Sequence, residues 1–147
     1  MGVQVSRAKE NPLLRSGLMF AGAAATLSNE ISIGGANNGM LNAYEAMSLN
    51  LKDTKLVIMS ACETGTGEIV NGEGVYGLSR AFQIAGASKI IMSLWKVDDE
   101  ATEQLMTSFY SEWIKTKNPQ NAFLSAQRTV KLKFPEPYFW GAFVLIN

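Results

Sequence analysis

Leu56-Val57-Ile58-Met59-Ser60-Ala61-Cys62-Glu63-Thr64-Gly65 is the stretch on which the fold turns. Four consecutive apolar residues, rather than an alternation, predict a strand covered on both faces, as in a parallel α/β sheet. Two small residues and the chain's single cysteine follow, and Gly65 and Gly67 let the backbone turn away. A thiol just past the C-terminal end of such a strand stands where open sheets form their sites. The same position also suits an inert cysteine, because free Cys is among the most buried residue types. Position alone leaves both readings open.

Working outward, Val75, Leu78, Ala81, Phe82 and Ala85 recur at helical spacing, and Gly86 stands where a helix C′ residue belongs. Lys89 to Trp95 predicts a second buried strand. Asp98 or Asp99 then opens a long helix as its N-cap, with Leu105, Met106, Phe109, Trp113 and Ile114 as the inner stripe. Asn118-Pro119 starts the next helix, Asn as cap and Pro at the first helical position, with Ala122, Phe123, Ala126 and Val130 facing inward. Pro135 and Pro137 bracket a turn, and Tyr138 to Ile146 predicts a final strand. Its aromatics, Tyr138, Phe139, Trp140 and Phe143, read as core and strand surface. The order strand, helix, strand, helix, helix, strand predicts an α/β sheet with right-handed crossovers.

The first third is less legible. Ser16 to Ala21 predicts a strand, Asn29 to Asn38 a loop or loose hairpin, and Gly39 to Leu49 a short helix. The chain therefore divides into an N-terminal part, 1–50, and a core carrying the cysteine, 51–147.

Composition narrows the function classes. Of 147 residues 47% are apolar and 18% charged, with 13 basic against 13 acidic, so neither nucleic acid nor an anionic membrane is the expected partner. No apolar run reaches the roughly 18 residues of a membrane span. One cysteine cannot close an internal disulfide, and with no histidine a zinc site has too few ligands. No metal or cofactor is implied, and a cytoplasmic location is expected. Gly65-Thr66-Gly67 and Gly72-Glu73-Gly74 lack the Gly-Lys-Ser/Thr of a phosphate loop.

Ser60-Ala61-Cys62-Glu63-Thr64-Gly65 resembles the nucleophile motif of CHAT domains, caspase-like domains often found after tetratricopeptide repeats. Further pieces match in order: Asn71-Gly72-Glu73-Gly74, Gly77-Leu78, Arg80-Ala81-Phe82, Ala85-Gly86-Ala87, Ser93-Leu94-Trp95, Val97 to Thr102, and Tyr138 with Trp140 and Ala142-Phe143-Val144-Leu145. Upstream, Asn11 to Leu18 and Leu41 with Ala43, Glu45 and Leu49 are also similar. The resemblance implies a caspase-like open sheet sandwiched by helices, here only in part.

It implies further that Cys62 is the nucleophile of a Cys-His dyad acting on a protein or peptide substrate, its own backbone amide serving as an oxyanion donor. The stretch from Leu94 to Asp99 is similar to the segment of separase that sets an aspartate against a basic P1 side chain. That alignment makes Asp99 the first candidate for the acid and Asp98 the second, with Trp95 as a wall and Glu63 beside the nucleophile. The dyad's histidine precedes the cysteine by about 50 residues in caspases, yet no histidine occurs among the 61 residues before Cys62 or anywhere else. The expectation is a truncated catalytic domain, inactive by itself; a non-catalytic interaction module is the alternative. Loss of the first strands would leave the Leu56 to Ser60 strand with an open edge, so a homo-oligomer or a rearranged N-terminal segment is expected, together with an upstream tetratricopeptide-repeat region in the native protein.

Overall fold

The structure is a computed structural model and describes residues 13, 16–21, 23, 39–60 and 73–147. The chain divides into two compact units, Met1–Val57 with Glu63–Ile90, and Ile58–Cys62 with Ile91–Asn147. The predicted loop at 29–38 lies outside the described residues.

In the first unit, β1 (Gly17–Met19) pairs antiparallel with β2 (Met40–Asn42), Leu18 opposite Leu41. The strand predicted over 16–21 is therefore present, though short. The helix predicted over 39–49 is confined to α1 (Ala43–Ala46), because residues 40–42 are drawn into the ladder with β1. Local helical spacing loses to cross-strand pairing here. Asn42 then starts the helix through a capping box: its Oδ1 accepts the Glu45 N–H at 2.9 Å, and Glu45 Oε2 accepts the Asn42 N–H at 3.0 Å.

The predicted helix around Leu78 is α2 (Glu73–Ile84), and Leu78, Ala81, Phe82 and Ala85 are all buried. It ends in a Schellman motif: the Gly86 N–H donates to the Gln83 carbonyl and the Ala87 N–H to that of Phe82. Gly86 has φ +107, and a Cβ there would stand 3.0 Å from the Lys52 nitrogen, so conformation and space both call for glycine.

A three-stranded sheet has the order β3 (Val57–Met59), β4 (Ile90–Ser93), β5 (Phe143–Ile146). Every residue of the central β4 is buried, as the continuous run from Lys89 predicts. Among the described residues β3 is an edge of this sheet, and its Val57 and Ile58 are only half-buried. The Val57 N–H, opening β3, donates to the carbonyl of Lys89, just before β4. Start meets start, so β3 and β4 run parallel. The Leu94 N–H, just past β4, donates to the carbonyl of Ala142, just before β5. End meets start, so β5 is antiparallel.

That corrects the all-crossover expectation. Two long helices separate β4 from β5, α3 (Asp99–Thr116) and α4 (Pro119–Lys133), joined by only Lys117 and Asn118. Eighteen residues carry α3 about 27 Å outward, and α4 brings the chain back. Lys133 in the last turn of α4 bridges Glu100 in the first turn of α3 at 2.6 Å. Returning to the end it left, the chain can only descend antiparallel.

Ala101, Leu105 and Phe109, spaced four apart, form the buried stripe of α3, and Ala122, Phe123, Ala126 and Val130 that of α4; the helices pack together, with the Phe109 and Phe123 rings edge to face. Ile114 departs from the predicted stripe and is exposed, since five residues from Phe109 is about 140° round a helix. The final strand is also shorter than predicted. Pro137 opens a helical turn, α5 (Pro137–Trp140), and strand geometry begins only at Phe143.

Candidate functional site at the exit of β4

Parallel neighbours end on the same edge of a sheet, their backbones about 4.8 Å apart. β3 and β4 are such neighbours, so the segment leaving Met59 and the segment leaving Ser93 emerge side by side. Ser60, the last described residue on the first, is exposed. Cys62 and Glu63 follow in sequence and lie outside the described residues.

The β4 exit is defined in detail. Ser93 is buried, and its hydroxyl has no hydrogen-bond partner among the described residues. The Leu94 amide is taken by Ala142 at 2.8 Å and Val97 is buried, so the turn 94–97 is held at both ends. Between them Trp95 is 39% exposed.

The two acids at 98 and 99 have different occupations. Asp98 is extended (φ −72, ψ 137) and caps α3, its Oδ1 accepting the Ala101 N–H at 3.0 Å. Thr102 Oγ1 donates to the Asp98 carbonyl at 2.8 Å. Asp99 is the first helical residue; it is exposed and makes no ion pair among the described residues. Of the two candidates for the N-cap, the geometry selects Asp98, which leaves the Asp99 carboxylate uncommitted. With Glu100 it adds negative charge to the first turn, where the helix dipole favours it.

One residue near this turn departs from the role that the sequence predicts for it. Tyr138 is neither core nor strand: it lies in α5, half exposed, and its ring stacks on Trp95 with centroids 6.5 Å apart and planes 25° from parallel. Trp95 Nε1 donates to the Tyr138 carbonyl at 3.1 Å, and the Tyr138 hydroxyl donates to the Lys96 carbonyl at 2.7 Å. The only local signal was an aromatic directly after Pro137; the pairing spans 42 residues and no periodicity reports it.

A depression of about 280 Å³ is lined by Glu100, Glu103, Gln104, Thr107, Ser108 and Lys133. It follows the polar side of α3 and includes neither Trp95 nor Asp98 nor Asp99. No group of three or more metal-ligating side chains occurs among the described residues, and no described helix is long and apolar enough to cross a membrane.

The sequence is similar to tetratricopeptide repeat protein 28 of Homo sapiens, 31% identical over 110 residues, which is 74% of this chain and 4% of that protein. The Mus musculus counterpart is 30% identical over the same length. The chain thus spans about 4% of the length of the curated relatives it matches. The family model for the CHAT domain matches residues 4–147. With its mixed α/β fold and a match over nearly its whole length, the chain belongs to the CHAT domain family, a caspase-like family.

Proposed function

We propose that this chain is the nucleophile-bearing part of a cysteine endopeptidase that cleaves protein substrates after a basic residue. The observation that carries this reading is the parallel β3–β4 pair. Ser60, two residues before Cys62 in sequence, leaves the sheet beside the turn that bears Trp95 and leads to Asp99 at the start of α3. Membership of a caspase-like family supports it.

In this reading the Cys62 thiolate attacks the scissile carbonyl carbon, a C–S bond forms, and the oxyanion is met by the backbone amide of Cys62. An imidazole takes the thiol proton and returns it to the leaving amine as the C–N bond breaks; water then hydrolyses the thioester. Asp99 faces an Arg or Lys side chain in a charge-assisted contact, Trp95 walls the groove, and Asp98 and Glu63 shape it. The imidazole comes from outside these 147 residues, which contain no histidine. A free thiol of pKa about 8.5 is only a few per cent ionised at pH 7, and without the imidazole nothing protonates the leaving amine. The chain alone is therefore inactive. The full-length protein joins this domain to an upstream repeat region that recruits substrate, as the similarity to a tetratricopeptide-repeat protein supports. It works in the cytoplasm, and the β3 edge pairs with a second copy.

The complete absence of histidine also favours a second reading, a caspase-like module that binds a protein partner without cutting it. Fluorogenic peptides ending in Arg, Lys or Asp, offered to the full-length protein and to its Cys62→Ala variant, separate the two. Cleavage after Arg or Lys that disappears in the variant supports the peptidase. Turnover by this chain alone, cleavage after Asp, or no cleavage by the full-length protein counts against it. A chain that sediments as a clean monomer at high concentration counts against the β3 edge contact.

A further inference from the structure

We propose that Tyr138 is a positioning residue, which acts through Trp95 to hold the 94–97 turn, and with it the groove wall, in one orientation. Three contacts converge on this turn from Tyr138: the ring stack on Trp95, the carbonyl that accepts the indole N–H, and the hydroxyl that donates to the Lys96 carbonyl. The indole is thus held by its face and its nitrogen, and the backbone beyond it by a separate bond.

Such a tie orients Trp95 only if its own base is rigid. Gln127 Nε2 donates to both the Trp140 and Phe143 carbonyls at 3.1 Å, pinning the end of α5 and the start of β5 to α4. Trp140 Nε1 donates to the Pro135 carbonyl at 3.1 Å. A Cβ on Gly141 would lie 2.8 Å from the Pro137 carbonyl oxygen, so the helical turn is closed too tightly for a side chain there. Tyr138 stands on a frame fixed at several points, while the turn it holds is also fixed at Leu94 and Val97.

Both partners are substantially exposed, Trp95 at 39% and Tyr138 at 50%. A core contact would bury them, so what this contact supplies is orientation more than buried area. Phenylalanine would reproduce the stack and the carbonyl; only the hydroxyl distinguishes tyrosine, and only Lys96 receives it. The kinetic consequence rests on the proposed reading of Trp95 as a substrate wall, whereas the positioning itself does not.

The test has two arms. In the first, nitrogen-15 spectra of this chain report the indole N–H groups of its three tryptophans, with Trp95 assigned by its loss in Trp95→Phe. Tyr138→Phe removes one net hydrogen bond and is expected to speed exchange of the Trp95 indole N–H by about three- to tenfold, leaving the other two indoles unchanged. Tyr138→Leu, which also removes the stack, is expected to speed it further. Unchanged exchange at Trp95 in both variants, or equal acceleration at all three indoles, overturns the proposal. In the second arm, Tyr138→Phe in the full-length protein is expected to raise KM for Arg peptides by about three- to tenfold with kcat little changed. An unchanged KM, or a loss confined to kcat, overturns the role in substrate positioning. If the wild-type full-length protein cleaves nothing, the peptidase reading falls and takes the kinetic role with it, and the exchange arm still decides whether Tyr138 holds Trp95.

Discussion

Substituting Asp98 and Asp99 one at a time separates the capping of α3 from the proposed recognition of substrate. The Asp98 carboxylate satisfies the Ala101 N–H, one of four donors that the head of an 18-residue helix leaves without intrahelical partners. Asp98→Ala removes that acceptor and is expected to cost about 1 kcal/mol. The Thr102 bond to the Asp98 carbonyl is to backbone and survives. Asp98→Asn keeps an acceptor and loses only the charge, a smaller loss because Asp99 and Glu100 still supply negative charge in the first turn. Asp99→Asn breaks no hydrogen bond of the described structure, so its stability effect is expected to stay within about 0.5 kcal/mol.

For a chain of this length 1 kcal/mol corresponds to about 2–4 °C in Tm. Thermal unfolding followed by circular dichroism therefore resolves Asp98→Ala from the other two. The kinetic assay runs the opposite way. If Asp99 faces the basic side chain as proposed, loss of a charge-assisted contact of about 1.5–3 kcal/mol is expected to lower kcat/KM of the full-length protein for Arg peptides by about ten- to a hundredfold in Asp99→Asn, and little in Asp98→Asn. Asp98→Ala without loss of Tm would refute the capping argument. Equal loss of basic preference in both Asn variants would refute the division of labour between the acids.

Three further outcomes follow from the packing. Phe109, fully buried with its ring 5.5 Å from that of Trp113 and 6.4 Å from that of Phe123, is expected to cost about 3–5 kcal/mol when cut to Ala, measured by urea unfolding. Gly86→Ala is expected to lose more than about 1 kcal/mol, because φ +107 and the Lys52 backbone both resist a Cβ; the same assay checks it. Glu100→Gln breaks the bridge to Lys133, whose partners are 52% and 65% exposed, so the loss is expected to stay below about 1 kcal/mol and to vanish in high salt.

The expectations that held rest on local chemistry. Asn118-Pro119 starts α4 as its residue types dictate, with Asn118 Oδ1 accepting two amides at 3.1 Å. The burial of Ala122, Phe123, Ala126 and Val130 follows from spacing alone, and so does the end of α2 at Gly86. Each signal lies within a few residues of the feature it announces. Errors arose where distant partners decide. Residues 40–42 resemble a helix start until β1 claims them, and Tyr138 resembles strand until Pro137 and Gly141 close a turn around it.

By itself, the sequence determined the kind and order of the elements from Lys55 to Lys133, the cap at Asn118 and the stop at Gly86, and the family to which the motifs belong, because hydrophobic period and capping chemistry act over one or two turns. Only the tertiary structure decided that β5 runs antiparallel, that Asp98 rather than Asp99 is consumed by the helix, and that Tyr138 secures Trp95. The choice between the acids depends on which of two adjacent carboxylates meets the Ala101 N–H; the other two outcomes depend on where the chain returns after two long helices and on a hydrogen bond between residues 42 positions apart. Separation of that order leaves no trace in a local pattern; only packing brings the partners within reach.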